Sequence, residues 1–325
     1  MSTRTTADAF SECDENLKLD PHQRSEAEKL HNEITDLLRK AGIIIYAFLQ
    51  GSFARRTMIA PLRDVDKVVV LARRMFGLTP DQVMDEIQAI LALAYSQATF
   101  ERTRHSLKVD FGAESFYFDT VPAWETDTDD DDVCIANRET GGWDRSNTRE
   151  LIRVVSERNQ ETNGLLIHQV RMGKQAVRHL LDGCVPGLHV ESWAYLEITR
   201  AMSHDEAVAR TLSAGARLLG HAYFDPTGVD LISAKLKPDI IMRAKPVLER
   251  AASDAARALQ LAAEGRYEAA IAIWHSILGD DFPAASSGDV SALRASFLGA
   301  GVSTTGRVTP FNAPRLQPTR AWGEA

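Results

Sequence analysis

Apolar and polar positions divide the chain into a mixed half and a helical half. Residues 20–41, DPHQRSEAEKLHNEITDLLRKA, carry Leu and Ile at helical spacing and stop at Gly42, so they predict a helix. An apolar run, IIIYAFLQ (43–50), leads into a Gly-Ser turn, and the valine-rich VDKVVVLA (65–72) predicts a buried strand. Thr79-Pro80 opens a helix through about Gln97, with threonine as cap and proline in the first turn. SLKVDF (106–111) and SFYFDTV (115–121) predict a hairpin around a glycine-containing turn. Pro122 is expected to end the second strand, because proline gives no ladder N–H.

After about 150 the pattern turns helical, with expected helices at 161–182, 189–202, 205–220, 238–264 and 266–278. The fold class predicted is α+β: a mixed sheet with helices over residues 1–150, a helical lobe over 151–283 enclosing a ligand cleft, and a mobile tail over 284–325.

Bulk properties narrow the function. The 325 residues carry a formal net charge of −8, which disfavours wrapping a long nucleic acid, since that needs a dominant basic face. A small anionic substrate stays open, because a bound cation supplies local positive charge. No apolar run reaches the roughly 18 residues of a membrane span, and the N-terminus lacks a secretory apolar core, so a cytoplasmic protein is expected. Cys13, Cys134 and Cys184 are far apart and suggest neither a disulfide framework nor structural zinc. The acidic run TDTDDDD (126–132) lacks the glycine and terminal glutamate of a calcium loop and reads as a solvated loop.

The candidate chemistry lies in QGSFARRTMIAPLRDVDKVVVL (50–71). Asp64 and Asp66 are two apart on a strand, so they share a face while Val65 points to the core. Their separation of about 6–7 Å along the strand suits two magnesium ions roughly 4 Å apart. Asp119 is the candidate third carboxylate from a neighbouring strand, with Asp110, near the hairpin turn, as its competitor. Gly51 lets backbone approach a phosphate, and Ser52 offers a hydroxyl and N–H groups. Arg55 and Arg56 read as solvated surface cations, and Trp274 as a core anchor.

Apolar strand, Gly-Ser, spacer, DxD on a strand and a later strand Asp together resemble the DNA polymerase β-type nucleotidyltransferases. FDTVPAW (118–124) is similar to the bacterial relatives of cyclic-GMP-AMP synthase and oligoadenylate synthetase, the CD-NTases. NGLLIHQVRMGKQAV (163–177), HVESWAYLEI (189–198) and AAIAIWHSILGDDFP (269–283) resemble further stretches of that family, so the likeness spans roughly 20–283. It implies a cyclic di- or trinucleotide second messenger made from ATP and other NTPs in anti-phage defence, with pyrophosphate released. It further implies two Mg2+ ions, replaceable by Mn2+, held by catalytic Asp64, Asp66 and Asp119, and nucleotide contacts from Gln50, Gly51, Ser52, Lys174 and Ser192. Implied partners are a downstream effector that senses the product and a regulatory or C-terminal-conjugating operon partner, the latter meeting the tail TRAWGEA. The animal DNA sensor's zinc ribbon and basic face have no counterpart, so long DNA is not the expected activator.

Two alternatives stay open on the residues alone. The same core could modify a small molecule, protein or RNA, or serve as an inactive nucleotide-binding scaffold. Three costly like charges argue against the scaffold.

Overall fold

The structure is a computed structural model that describes residues 4–112, 116–126 and 133–286. The acidic run, all but its first residue, and the tail beyond 286 lie outside the described residues. The chain divides into two units: a sheet unit, Leu19–Glu157, and a helical unit of residues 4–18 with 158–286.

The N-terminal helix α1 (Thr6–Leu17) belongs to the helical unit, whereas the sequence pattern groups residues 1–150 together. Its start is fixed by a reciprocal cap: Thr5 accepts from the Asp8 N–H, and Asp8 accepts from that of Thr5. In the sheet unit, α2 (Pro21–Lys40) is capped by Asp20 and starts on proline. Strand β1 (Ile44–Leu49) leads into the single turn α3 (Gly51–Ala54), followed by strand β2 (Asp64–Leu71). Helix α4 (Pro80–Ala94) opens with a Thr79–Gln82 capping box.

Five strands follow: β3 (Thr99–Arg102), β4 (Leu107–Asp110), β5 (Tyr117–Glu125), β6 (Val133–Asn137) and β7 (Gly142–Ser146). Helix α5 (Thr148–Glu161) runs out of this unit. The sheet order is β1-β2-β5-β4-β3, with β6 on β5 and β7 on β6. Among the described residues, only β2 and β5 pair in parallel, joined by the excursion through α4, β3 and β4.

Pro122 does not end β5. It sits where the strand edge changes partner, after Thr120, the last residue paired with β4, and before Ala123, the first paired with β6. No β4 or β6 residue is paired with it, which is how a mid-strand proline is accommodated.

One face of the sheet packs Val65, Val69 and Leu71 of β2 and Phe118 of β5 against Ile34 and Leu38 of α2 and Val83, Met84 and Ile87 of α4. The opposite face carries a smaller apolar cluster of Val68, Val70, Val121, Ala123 and Val133. The period of two thus puts even-numbered β2 residues on one face and odd-numbered ones on the other.

The helical unit contains α6 (Leu165–Leu181), α7 (Gly187–Glu197), α8 (His204–Leu218), α9 (Pro238–Ala263) and α10 (Tyr267–Leu278). The expected single helix at 161–182 breaks after Glu161, where Asn163 and Gly164 take left-handed conformations (φ 57° and 81°). Trp274 is buried and meets Phe10 of α1 edge-on, with ring centroids 5.1 Å apart. Among the described residues, no helix is long and apolar enough to cross a membrane.

Candidate active site

The parallel ladder decides whether the three aspartates meet. Asp66 is the register partner of Asp119, and Asp64 that of Tyr117. Paired residues of neighbouring strands share a face, so Asp64, Asp66 and Asp119 project together, while Val65 and Lys67 are buried on the other side. Asp110 is also on this face, opposite Tyr117, but it is exposed and its Oδ1 accepts from the Gly112 N–H at 2.8 Å, as a turn cap does.

Gly51 is needed for a specific reason. Its φ is +67°, and a Cβ there would lie 1.7 Å from Asp66 Oδ2. The absence of a side chain therefore admits the Asp66 carboxylate against the turn. The neighbouring Gln50 N–H donates to the Asp66 carbonyl at 2.9 Å, fixing turn to strand. The Gln50 side chain accepts from Thr148 Oγ1 at 2.8 Å. Ser52 follows in α3, half-buried.

The electrostatics match a site built for cations. Burial and the charges of Asp64 and Asp119 push the Asp66 carboxyl up to about 7. Asp119 is also raised, by burial and by Asp64, against the pull of Ser106 and Lys108. Arg55, expected at the surface, is instead buried, and its charge opposes the rise at Asp66. The short α3 turns it inward, while Arg56 remains exposed with φ 60°.

Ser106 is a residue the sequence pattern does not single out. Its hydroxyl donates to Asp119 Oδ1 at 2.8 Å, and its N–H donates to Thr103 Oγ1 at 3.0 Å. This fixes one carboxylate oxygen and leaves the other for a ligand. Only the β4–β5 register brings Ser106 to Asp119, and residue spacing carries no sign of that.

No group of three or more His, Cys, Asp or Glu side chains among the described residues is gathered closely enough to hold a metal ion. The donors nevertheless fit hard divalent cations: they are all carboxylate oxygens on one face, and both the burial and the like charge that raise Asp66 are offset by a bound cation.

Lys174 and Ser192 lie in the helical unit, on α6 and α7. Lys174 Nζ donates to Glu191 Oε2 at 2.9 Å in a buried ion pair. Ser192 sits inside its helix rather than at the cap, and its hydroxyl donates to the Leu188 carbonyl at 2.8 Å.

Residues 4–159 match the family model described as the Second Messenger Oligonucleotide or Dinucleotide Synthetase domain. Among solved structures, Vibrio cholerae DncV in its apo form aligns with a TM-score of 0.68 at 13% identity, over 86% of this chain and 97% of that one. The Bradyrhizobium diazoefficiens CD-NTase CdnG in complex with GTP gives 0.67 at 13% identity, over 83% and 97%. E. coli MS115-1 CdnC with ATP gives 0.64 at 15%, over 86% and 99%. These likenesses show a shared fold. No curated protein matches the chain.

Proposed function

We propose that the chain is a nucleotidyltransferase of the CD-NTase group, a reading supported by the match of residues 4–159 to the Second Messenger Oligonucleotide or Dinucleotide Synthetase domain, and that it closes ATP and other NTPs into a cyclic di- or trinucleotide. The observation that carries this reading is the direct register of Asp66 with Asp119, with Asp64 on the same face and Gly51 against Asp66.

In the proposed reaction a ribose hydroxyl oxygen of one nucleotide forms a bond to the α-phosphorus of another. The bond from that phosphorus to pyrophosphate breaks, and Asp119 takes the hydroxyl proton. Asp64 and Asp66 would hold one Mg2+ or Mn2+ ion, and Asp119 would complete the second site. When bound, the cations would neutralise the triphosphate and make the hydroxyl more acidic. Gly51 lets the Asp66 carboxylate close against the turn, and Ser52 would supply a hydroxyl donor to the donor nucleotide's phosphates. Ser106 holds Asp119 in one orientation. In the helical unit, Lys174 and Ser192 are proposed phosphate contacts. The setting proposed is cytoplasmic anti-phage defence, with an effector that senses the ring.

The test is incubation with labelled ATP, GTP, CTP and UTP and Mg2+ or Mn2+, followed by phosphatase. A phosphatase-resistant product is expected, and Asp64→Asn with Asp66→Asn should reduce it to below about one per cent. Undiminished nucleotide consumption by that double variant would sink the assignment.

A further inference from the structure

The ladders align four side chains in a row across four strands. Asp66 pairs with Asp119, Asp119 with Lys108, and Lys108 with Glu101. All four therefore share the face of the three aspartates. Lys108 Nζ stands 3.7 Å from the centroid of the Tyr117 ring and 3.9 Å from Glu101 Oε2, and its side chain is 24% exposed. Besides its longer-range attraction to Asp119, both of these contacts are weak: the Glu101 carboxylate is distant and 73% exposed, and a partly hydrated cation–π contact adds little. A phosphate oxygen would offer this ammonium a stronger, charge-assisted hydrogen bond.

Position says which phosphate. Attack at the α-phosphorus is in line, so the acceptor approaches from the side opposite the departing pyrophosphate. The Gly51–Ser52 turn follows β1, on one side of the aspartates, while Lys108 lies on β4, on the other. With the donor triphosphate at the turn, as the proposed function has it, the acceptor comes in over β4.

We infer that Lys108, poised over the Tyr117 ring, binds a phosphate of the acceptor nucleotide and thereby selects acceptors that carry a 5′-phosphate. The inference rests on the proposed function and adds to it the contact that retains the acceptor.

The test supplies each NTP, α-labelled, as donor, with either an unlabelled NTP or the corresponding nucleoside as acceptor, and measures acceptor KM and labelled dinucleotide. Binding of a non-hydrolysable ATP analogue with Mg2+ is measured by calorimetry alongside. Lys108→Met should raise the NTP acceptor's KM, and lower the preference for it over nucleoside, by about tenfold or more, the loss expected for one charged hydrogen bond. Analogue binding should stay within about threefold, and Lys108→Arg should recover most of the preference. An unchanged acceptor KM, or equal losses with both acceptors, would overturn the inference and leave Lys108 as a counter-charge to Asp119. A wild-type protein that releases no pyrophosphate from any NTP would instead remove the functional reading, and this inference with it.

Discussion

Asp66 is buried and flanked by Asp64 along its strand and Asp119 across the ladder, so desolvation first, and then like charge, disfavours its ionised form. Its carboxyl rises from the ordinary 3.8 to about 7. A carboxyl raised in the folded state binds its proton while the unfolded chain has already released it. Its favourable contribution is therefore complete below about pH 4 and is lost as pH climbs through about 7. Asp66→Asn does not titrate. In chelator the variant should melt level with wild type near pH 4 and several degrees above it at pH 7 and beyond, since a shift of this size corresponds to roughly a few kcal/mol. Added Mg2+ should raise the wild-type midpoint and leave the variant's unmoved. A melting difference that ignores pH would contradict a raised Asp66 carboxyl. The aspartates and Gly51 were legible in the sequence because a period of two and a glycine beside a DxD need no tertiary knowledge. Arg55 and Ser106 were not, because one depends on how a four-residue turn packs and the other on a strand register.

At the scale of elements, the clearest tension is Lys67, which follows Asp66 on β2 but points to the opposite, apolar side and is fully buried. Its Nζ donates to the His31 carbonyl at 2.7 Å and to Thr35 Oγ1 at 2.8 Å, tying β2 to the middle of α2. Burial lowers its pKa from 10.5 to about 7. Between about 7 and 10.5 the unfolded chain holds a proton that the folded one lacks, so this group's penalty is greatest at and below neutrality and eases as pH rises. Lys67→Met should therefore stabilise the protein at pH 7, by on the order of 1–4 kcal/mol in urea unfolding, with the gain shrinking toward pH 10. Thr35 Oγ1 already donates to the His31 carbonyl at 2.7 Å, so the substitution leaves both groups bonded. Lower stability of the variant at pH 7 would mean that the amine's hydrogen bonds outweigh its desolvation. Helices with caps, such as α2 and α4, and the valine-rich β2 were readable from sequence, because local chemistry fixes their ends. The short β3, β6 and β7 were not, since four or five residues carry too little periodicity, and Pro122 misled because its tolerance depends on which neighbours pair beside it.

At the scale of the whole chain, the division into units departs from chain order in one place: α1, the first helix, packs with the last. Ala9, Phe10, Cys13 and Leu17 are each at most 1% exposed. Phe10 lies edge-on to both Trp274 and Phe282, at 5.1 and 4.9 Å between centroids. Asp14 accepts from Arg171 and His168 of α6, and Asn16 donates to the Asp281 carbonyl. No local pattern announces this, because α1's apolar residues find partners more than 250 positions away. At about 1.5–3 kcal/mol for each large apolar side chain buried, and less for alanine, α1 supplies on the order of 5–8 kcal/mol. That is comparable with the roughly 5–15 kcal/mol that holds a domain folded. A chain beginning at Leu19 should therefore lose hydrogen-exchange protection throughout α6 and α10, helices that α1 contacts directly. The loss should be cooperative rather than confined to the newly exposed side of each helix. Phe10→Ala in the full chain, removing only the ring that touches Trp274 and Phe282, should produce a partial version costing about 3–5 kcal/mol. Retained protection in α10 of the shortened chain would show that the C-terminal helices form their own core and that α1 merely covers it.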